Sequence, residues 1–239
     1  MKLFGLILTF NCEKFVEKTL KNIPYNKFDK IICSDDGSAD ETKQKFVNKN
    51  IEFFSHEHLG YGGNLFFGLK KAFEMGATHV VEIHGDGQYD LENINDIIKK
   101  FKIENSDLIL GNRFYNYKNT LKNGMPIHIF FGNIVLSLIA KIGLGLKLKD
   151  FFPGQRAYSK KFYEIIKTYK LPKGYQFSFE IIMLSKLHNL KISSVNCQCN
   201  YKGEKSTAPL HYLFSGFYHL ITSIFLFRFD KKKILKRKK

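Results

Sequence analysis

The sequence predicts an α/β domain with a mostly parallel sheet, on three observations. Short apolar runs end in polar or glycine-rich loops at Thr9-Phe10-Asn11, Ser34-Asp35-Asp36-Gly37, Leu59-Gly60-Tyr61-Gly62-Gly63-Asn64 and His84-Gly85-Asp86-Gly87. Helical patterns separate these runs, and alternating strands and helices give a parallel sheet covered on both faces. With 44% apolar content in 239 residues, the chain can fill a sizeable core.

Taken in order, Leu3 to Leu8 is a continuous apolar run that suits a buried parallel strand. Glu13 to Asn22 carries a helical pattern. Lys30 to Cys33 is a second strand, ending in Asp35-Asp36-Gly37-Ser38, with Asp40 and Thr42 placed to start a helix. These acids can accept hydrogen bonds from a ribose and base, or serve as caps alone. Ile51 to Ser55 is a third strand, and the glycines before the helix Leu65 to Met75 let backbone approach a ligand at a helix amino terminus. The β-branched run from His79 to Ile83 then delivers Asp86 to a tight turn between Gly85 and Gly87. Open α/β sheets bind ligands at that edge, where a carboxylate can meet a hard divalent cation carrying a diphosphate.

Further along, Asp107 to Gly111 reads as a strand and Tyr115 to Pro126, rich in Asn, Lys and Gly, as a mobile loop able to fold over substrate. Ile127 to Leu146 is a strongly apolar helix, either core or a groove for a lipid tail. A helix begins at Gln176, and Lys191 to Asn200 is a late strand. Leu210 to Phe227 lacks charge but carries His211, Ser215, His219 and Thr222 at helical spacing, ahead of the basic run Lys231 to Lys239. That stripe fits a helix lying on a membrane surface better than one packed on the domain or one spanning a bilayer. The basic tail adds attraction to an anionic cytoplasmic leaflet.

A formal net charge of +16 implies a polyanionic partner: nucleic acid, a phosphorylated substrate or anionic lipid. Cys12, Cys33, Cys197 and Cys199 lack metal-site spacing and read as reduced core residues of a cytosolic protein. No cleavable signal peptide is expected from the first residues.

Four motifs in order give these elements a specific resemblance. Phe10-Asn11-x-Glu13, Asp35-Asp36-Gly37-Ser38-x-Asp40-x-Thr42, Gly62-Gly63-Asn64 and Asp86-Gly87-Gln88 resemble the family 2 glycosyltransferases of GT-A fold. The branch most similar contains dolichyl-phosphate mannosyltransferase and bacterial polyprenyl-phosphate glycosyltransferases, over about residues 3 to 206. The resemblance implies that Asp36, with Asp35, Thr9, Asn11, Glu13, Gly62, Asn64 and Gly85, lines the nucleotide. It implies that Asp86 holds Mg²⁺ or Mn²⁺, while His84 stands where the family has its first acid. An imidazole there ligates Mn²⁺ or only packs. Arg113, in Gly111-Asn112-Arg113, and Arg156, in Gln155-Arg156-Ala157-Tyr158, are implied to face phosphates, although Arg156 could equally pair with Asp150. Gln88 follows the metal acid, and Lys202 or Lys205 would replace a family arginine that is Asn200 here. Glu180 is the candidate general base for a hydroxyl acceptor, whereas a lipid phosphate needs none.

The expected organisation is a catalytic domain over 1–206, with a nucleotide-sugar half at 1–112 and an acceptor half at 113–206, followed by a membrane-associating helix and basic tail at 207–239. The expected activity is inverting transfer of a hexose from a UDP- or GDP-type sugar to a polyprenyl phosphate at the cytoplasmic membrane face. A glycan hydroxyl is the alternative acceptor. A non-catalytic nucleotide- or glycan-binding relative is another class, and +16 alone motivates nucleic-acid binding, which is not expected to be specific.

Overall fold

A computed structural model of the chain describes residues 1–47, 49–202 and 210–239, with side chains from 216 onward in the last of these stretches. The seven strands are β1 (Leu3–Thr9), β2 (Lys30–Asp35), β3 (Glu52–Ser55), β4 (His79–His84), β5 (Leu108–Asn112), β6 (Arg156–Ser159) and β7 (Ile192–Asn196). They form one sheet in the order β3-β2-β1-β4-β6-β5-β7. The pairs β1–β2, β1–β4, β2–β3 and β5–β7 are parallel. Strand β6 runs against both its neighbours, so the sheet is mostly parallel with one reversed strand.

Period-two alternation splits the core into two layers. Along β1, Leu6 and Leu8 face a layer shared with α2 (Tyr61–Glu74), α6 (Lys160–Ile166) and α7 (Phe177–Leu187). Leu3 and Ile7 face the other layer, with α1 (Glu13–Lys21) and α3 (Ile94–Lys102). Strand order reverses at β1, whose next partner in sequence is β2 on one side and whose other neighbour is β4. Leu8 lies opposite His84, so the ends of β1 and β4 meet at the switch point where open α/β sheets hold ligands.

Two expectations change. Residues 115–126 are not a plain loop. Asn116 caps a helix, α4 (Tyr117–Lys122), by accepting from the Asn119 N–H, and Thr120 donates to the Arg113 carbonyl at 2.5 Å. Asn, Lys and Gly read as a loop because a one-turn helix has no room for apolar periodicity. Asp40 and Thr42 do not start an α-helix either; the chain makes only a 3-10 turn at Lys43–Phe46.

The apolar helix α5 (Ile127–Leu144) and helix α8 (Leu210–Phe229) pack on one another. A Cβ at Gly143 would fall 2.5 Å from Ile224, so glycine sets their close approach. Helix α8 also packs on α7, and α9 (Lys231–Leu235) turns the chain back, ending with Lys239 N–H on the Thr168 carbonyl at 2.7 Å. The basic segment is therefore docked on the domain rather than a free tail. All four cysteines are buried and free.

Candidate active site at the carboxyl edge of the sheet

The loops after β1 and β2 brace one another. Asn11, at φ 49°, accepts the Ala39 N–H at 2.8 Å, and its own N–H donates to Ser38. The Glu13 carboxylate accepts the Glu41 N–H at 2.8 Å, while the Glu13 N–H donates to Asp40. Asp35 is buried and accepts from Thr9, from the Ser38 hydroxyl and N–H, and from Ser55. A carboxylate has about four acceptor directions, and these four bonds from Thr9, Ser38 and Ser55 take up those of Asp35. Asp36, also buried, accepts the Leu59 and Gly60 N–H groups at 2.6 and 2.9 Å and pairs with His58 at 2.9 Å. Asn64 ties α2 to Ser34, His56 and the Thr9 carbonyl.

The glycines serve packing more than ligand approach. A Cβ on Gly62 would sit 2.4 Å from Phe177, and one on Gly85 would meet the Leu8 carbonyl at 2.8 Å. They let α7 close on α2 and β1 close on β4. Open at this edge is the tilted pair Phe10 and His58, with ring centroids 4.6 Å apart and both exposed. Neither ring is among the predicted site residues; two aromatics far apart in sequence give no local signal.

Asp86 lies half-buried in its turn, where the Gln88 N–H donates to its Oδ1 at 2.9 Å and Gly87 takes φ 68°. His84 does not stand beside it as a ligand. Its Nε2 turns into the sheet to the buried Glu82 carboxylate at 3.0 Å. Tyr61 and Tyr158 donate to the same carboxylate at 2.7 and 2.6 Å. Burial alone would lower the His84 pKa, but the bond to Glu82 and its charge outweigh this and raise it to about 9. The imidazole is thereby held on Glu82 rather than turned toward Asp86. Glu82 is hidden in sequence by its place inside an apolar strand; its spacing of two from His84, which puts both on one face, is the signal that finds it. Among the described residues no three His, Cys, Asp or Glu side chains converge as a metal cage. The donor set fits instead a hard cation held partly by Asp86 and mainly by oxygens of a ligand that brings it.

The two arginines divide the roles predicted for them. Arg113 is buried and forked onto Asp150 at 2.7 and 2.9 Å, with Tyr201 and the Phe152 carbonyl taking its other donors. The Asp150 pair belongs to Arg113, not to Arg156, and leaves Arg113 facing the fold rather than a phosphate. Arg156 donates to the Pro153 and Ser178 carbonyls, and its Nη2 is buried without a hydrogen-bond partner among the described residues. Glu180 is buried against Arg237 at 3.0 and 3.1 Å and His219 at 3.2 Å. Burial would raise its pKa, yet His219 and Arg237 hold it below the usual carboxylate range. That is the wrong direction for a general base. Gln88 lines a cavity of about 240 Å³ beside the Asp86 turn, with Lys18, Asn22, Asn123 and Asn200. Lys202 is exposed, near Gly124; Lys205 lies outside the described residues.

Residues 6–166 match the model of Glycosyl transferase family 2. The chain belongs to this family. It is 31% identical over 221 residues to the UDP-N-acetylglucosamine--dolichyl-phosphate N-acetylglucosaminyltransferase of Methanococcus voltae, covering 84% of this chain and 86% of that one. An uncharacterised protein of Methanocaldococcus jannaschii is 31% identical over 201 residues, covering 84% and 82%. Among solved structures, glucosyl-3-phosphoglycerate synthase from Mycobacterium tuberculosis, in complex with Mn²⁺, UDP and phosphoglyceric acid, superposes with a TM-score of 0.65 at 17% identity, over 95% of this chain and 78% of that one. The sheet is thus that of the GT-A glycosyltransferases, and this family 2 member is a glycosyltransferase.

Proposed function

We propose that this glycosyltransferase moves a sugar from a nucleoside diphosphate donor to a polyprenyl phosphate at a membrane surface. The observation that carries the reading is Asp86, set in a two-glycine turn at the switch point of a family 2 sheet. Asp86 would hold a divalent cation together with the donor diphosphate; such a cation neutralises the leaving group's charge. UDP is the favoured donor base, since the Methanococcus voltae relative is named for a UDP-sugar. Phe10 and His58 offer ring faces to the base, and Asn11 and Glu13 rim the same edge. Arg156, whose Nη2 lacks a partner among the described residues, would donate to an anionic oxygen of donor or acceptor. Lys202 and Lys205 remain candidates for the acceptor phosphate. The halves 1–112 and 113–206 are proposed as donor and acceptor halves, and 207–239 as the membrane-associating segment.

The state of Glu180 favours a phosphate acceptor over a sugar hydroxyl. A hydroxyl needs a base, and the carboxylate predicted for that role is paired with Arg237 and held acidic; a phosphate is already an anion and needs only positioning. The test is transfer of labelled sugar from UDP-N-acetylglucosamine, UDP-glucose or GDP-mannose to dolichyl phosphate, with Mn²⁺, Mg²⁺ or chelator. Lipid-linked product that disappears with chelator supports the reading. Product formed only on a glycan hydroxyl rejects it.

A further inference from the structure

Helices α5 and α8 carry an apolar face that none of the described residues covers. On α5 the exposed large apolar residues are Ile127, Phe131, Val135, Leu138 and Ile142, from 53% to 67% exposed, with His128 and Lys141 also exposed. Their spacing of four, four, three and four places them on one side of a helix. The opposite side, with Phe130, Ser137, Ala140 and Leu144, is buried. On α8 the exposed stripe is Tyr218, Ile221, Phe225 and Phe229, and the buried side is Leu220, Ser223 and Phe227. Each helix turns its buried side to the domain and meets the other through Gly143 and Ile224. The two stripes therefore emerge together as one surface. Arg228 fastens its edge by donating to the Gly143 and Ile142 carbonyls at 2.6 and 2.7 Å.

Charge decides what this surface meets. No acidic residue occurs from Leu108 to Lys149. Lys141, Lys147 and Lys149 are exposed at the end of α5, with Arg228, Lys231, Lys232 and Lys233 exposed at the end of α8. Two acids adjoin these cations in sequence: Asp150 is buried and paired with Arg113, and Asp230 caps α9 through the Lys233 N–H. A wide apolar face edged by lysine and arginine, with Asp230 alone among them as an exposed acid, matches an anionic bilayer, with the side chains in the acyl boundary and the cations among headgroups. Helix α5 is long and apolar enough to cross a membrane. Its buried side is part of the main core, however, and the Phe151 N–H is held by Ser137, so it lies flat.

We propose that α5 and α8 together form the surface by which the protein docks on an anionic lipid bilayer, α5 contributing as much as the C-terminal helix. The inference rests on the polyprenyl-phosphate reading, whose acceptor must reach the site from a membrane. The chain contains no tryptophan, so Leu138→Trp and Phe225→Trp each supply a single reporter, and Ile103→Trp, on an exposed site at the end of α3, supplies a control. With vesicles containing phosphatidylglycerol, both reporters should shift to the blue and the control should not; pure phosphatidylcholine vesicles and high salt should weaken the response. Vesicle sedimentation of the double variant Val135→Asp/Leu138→Asp should show partitioning lower by about tenfold or more. The proposal is overturned if the Leu138→Trp reporter does not move, or if Val135→Asp/Leu138→Asp abolishes a dimer seen by ultracentrifugation while vesicles remain unbound. Transfer to a short, water-soluble isoprenyl phosphate needs no bilayer. Activity on it without vesicle docking would sink the surface alone, and docking without that activity would sink the acceptor.

Discussion

The carboxyl edge of β1, β2 and β4 and the flank built from α7, α8 and the Arg113 region manage their charges differently. At the edge, Asp35, Asp36 and Glu13 are satisfied largely by backbone N–H groups and hydroxyls of neighbouring loops, so the loops are held without using up cations. On the flank, Arg113 is spent on Asp150 and Arg237 on Glu180. A carboxylate held by N–H dipoles shapes a site and leaves its field to act on a cationic or hydroxylic ligand. A carboxylate matched by guanidinium has no net charge left to offer and works as a fastener.

That contrast can be broken by experiment, and the largest effect is expected at Arg113. Replacing it with Ala leaves Asp150 buried and unpaired, which costs about 3–5 kcal/mol in denaturant unfolding. Normal stability with lost transfer would restore the phosphate-facing role. Asp86→Ala should do the reverse, lowering transfer about 100-fold with an unfolding midpoint close to that of the parent. Gly62→Ala drives a methyl into Phe177 and should cost about 1–3 kcal/mol, with donor affinity falling only as far as the fold loosens; a loss of donor binding at unchanged stability would return Gly62 to the nucleotide.

The smallest effect concerns acid. Glu180 has a folded pKa below its unfolded value, so its contribution is full above about pH 4.5 and disappears as pH falls through the lower folded value. Arg237→Ala should flatten that limb of a stability-against-pH curve and cost about 1 kcal/mol at neutral pH, the partner being one-third exposed. An unchanged acid limb would remove Glu180 from the fastening role.

The sheet was legible because buried parallel strands are written as unbroken apolar runs and their ends as glycine and polar residues. Asp86 was legible for the same reason. Helix α4 was not, since capping by Asn116 and a Thr120 side-chain bond outweigh a composition that reads as loop. Neither was the reversal of β6, four residues long and bracketed by strands distant in sequence. Arg113 and Arg156 show the deeper limit. Both sit in motifs that point to phosphate, but which one found Asp150 depends on where residue 150 arrives in space. Glu82 vanished into its strand because its partners Tyr61 and Tyr158 come from other elements.

The Glu180–Arg237 pair spans 57 positions of chain, and this orders events during synthesis. Strands β1, β2 and β3 find their parallel partners and helix α2 early in the chain, whereas β4 also pairs with β6 and its layer also takes in α6 and α7. Helix α7 is made before either of Glu180's partners, His219 and Arg237, and burying that carboxylate ionised and alone is costly. The amino-terminal strands thus form a scaffold first, and α7 settles once His219 and Arg237 have reached Glu180.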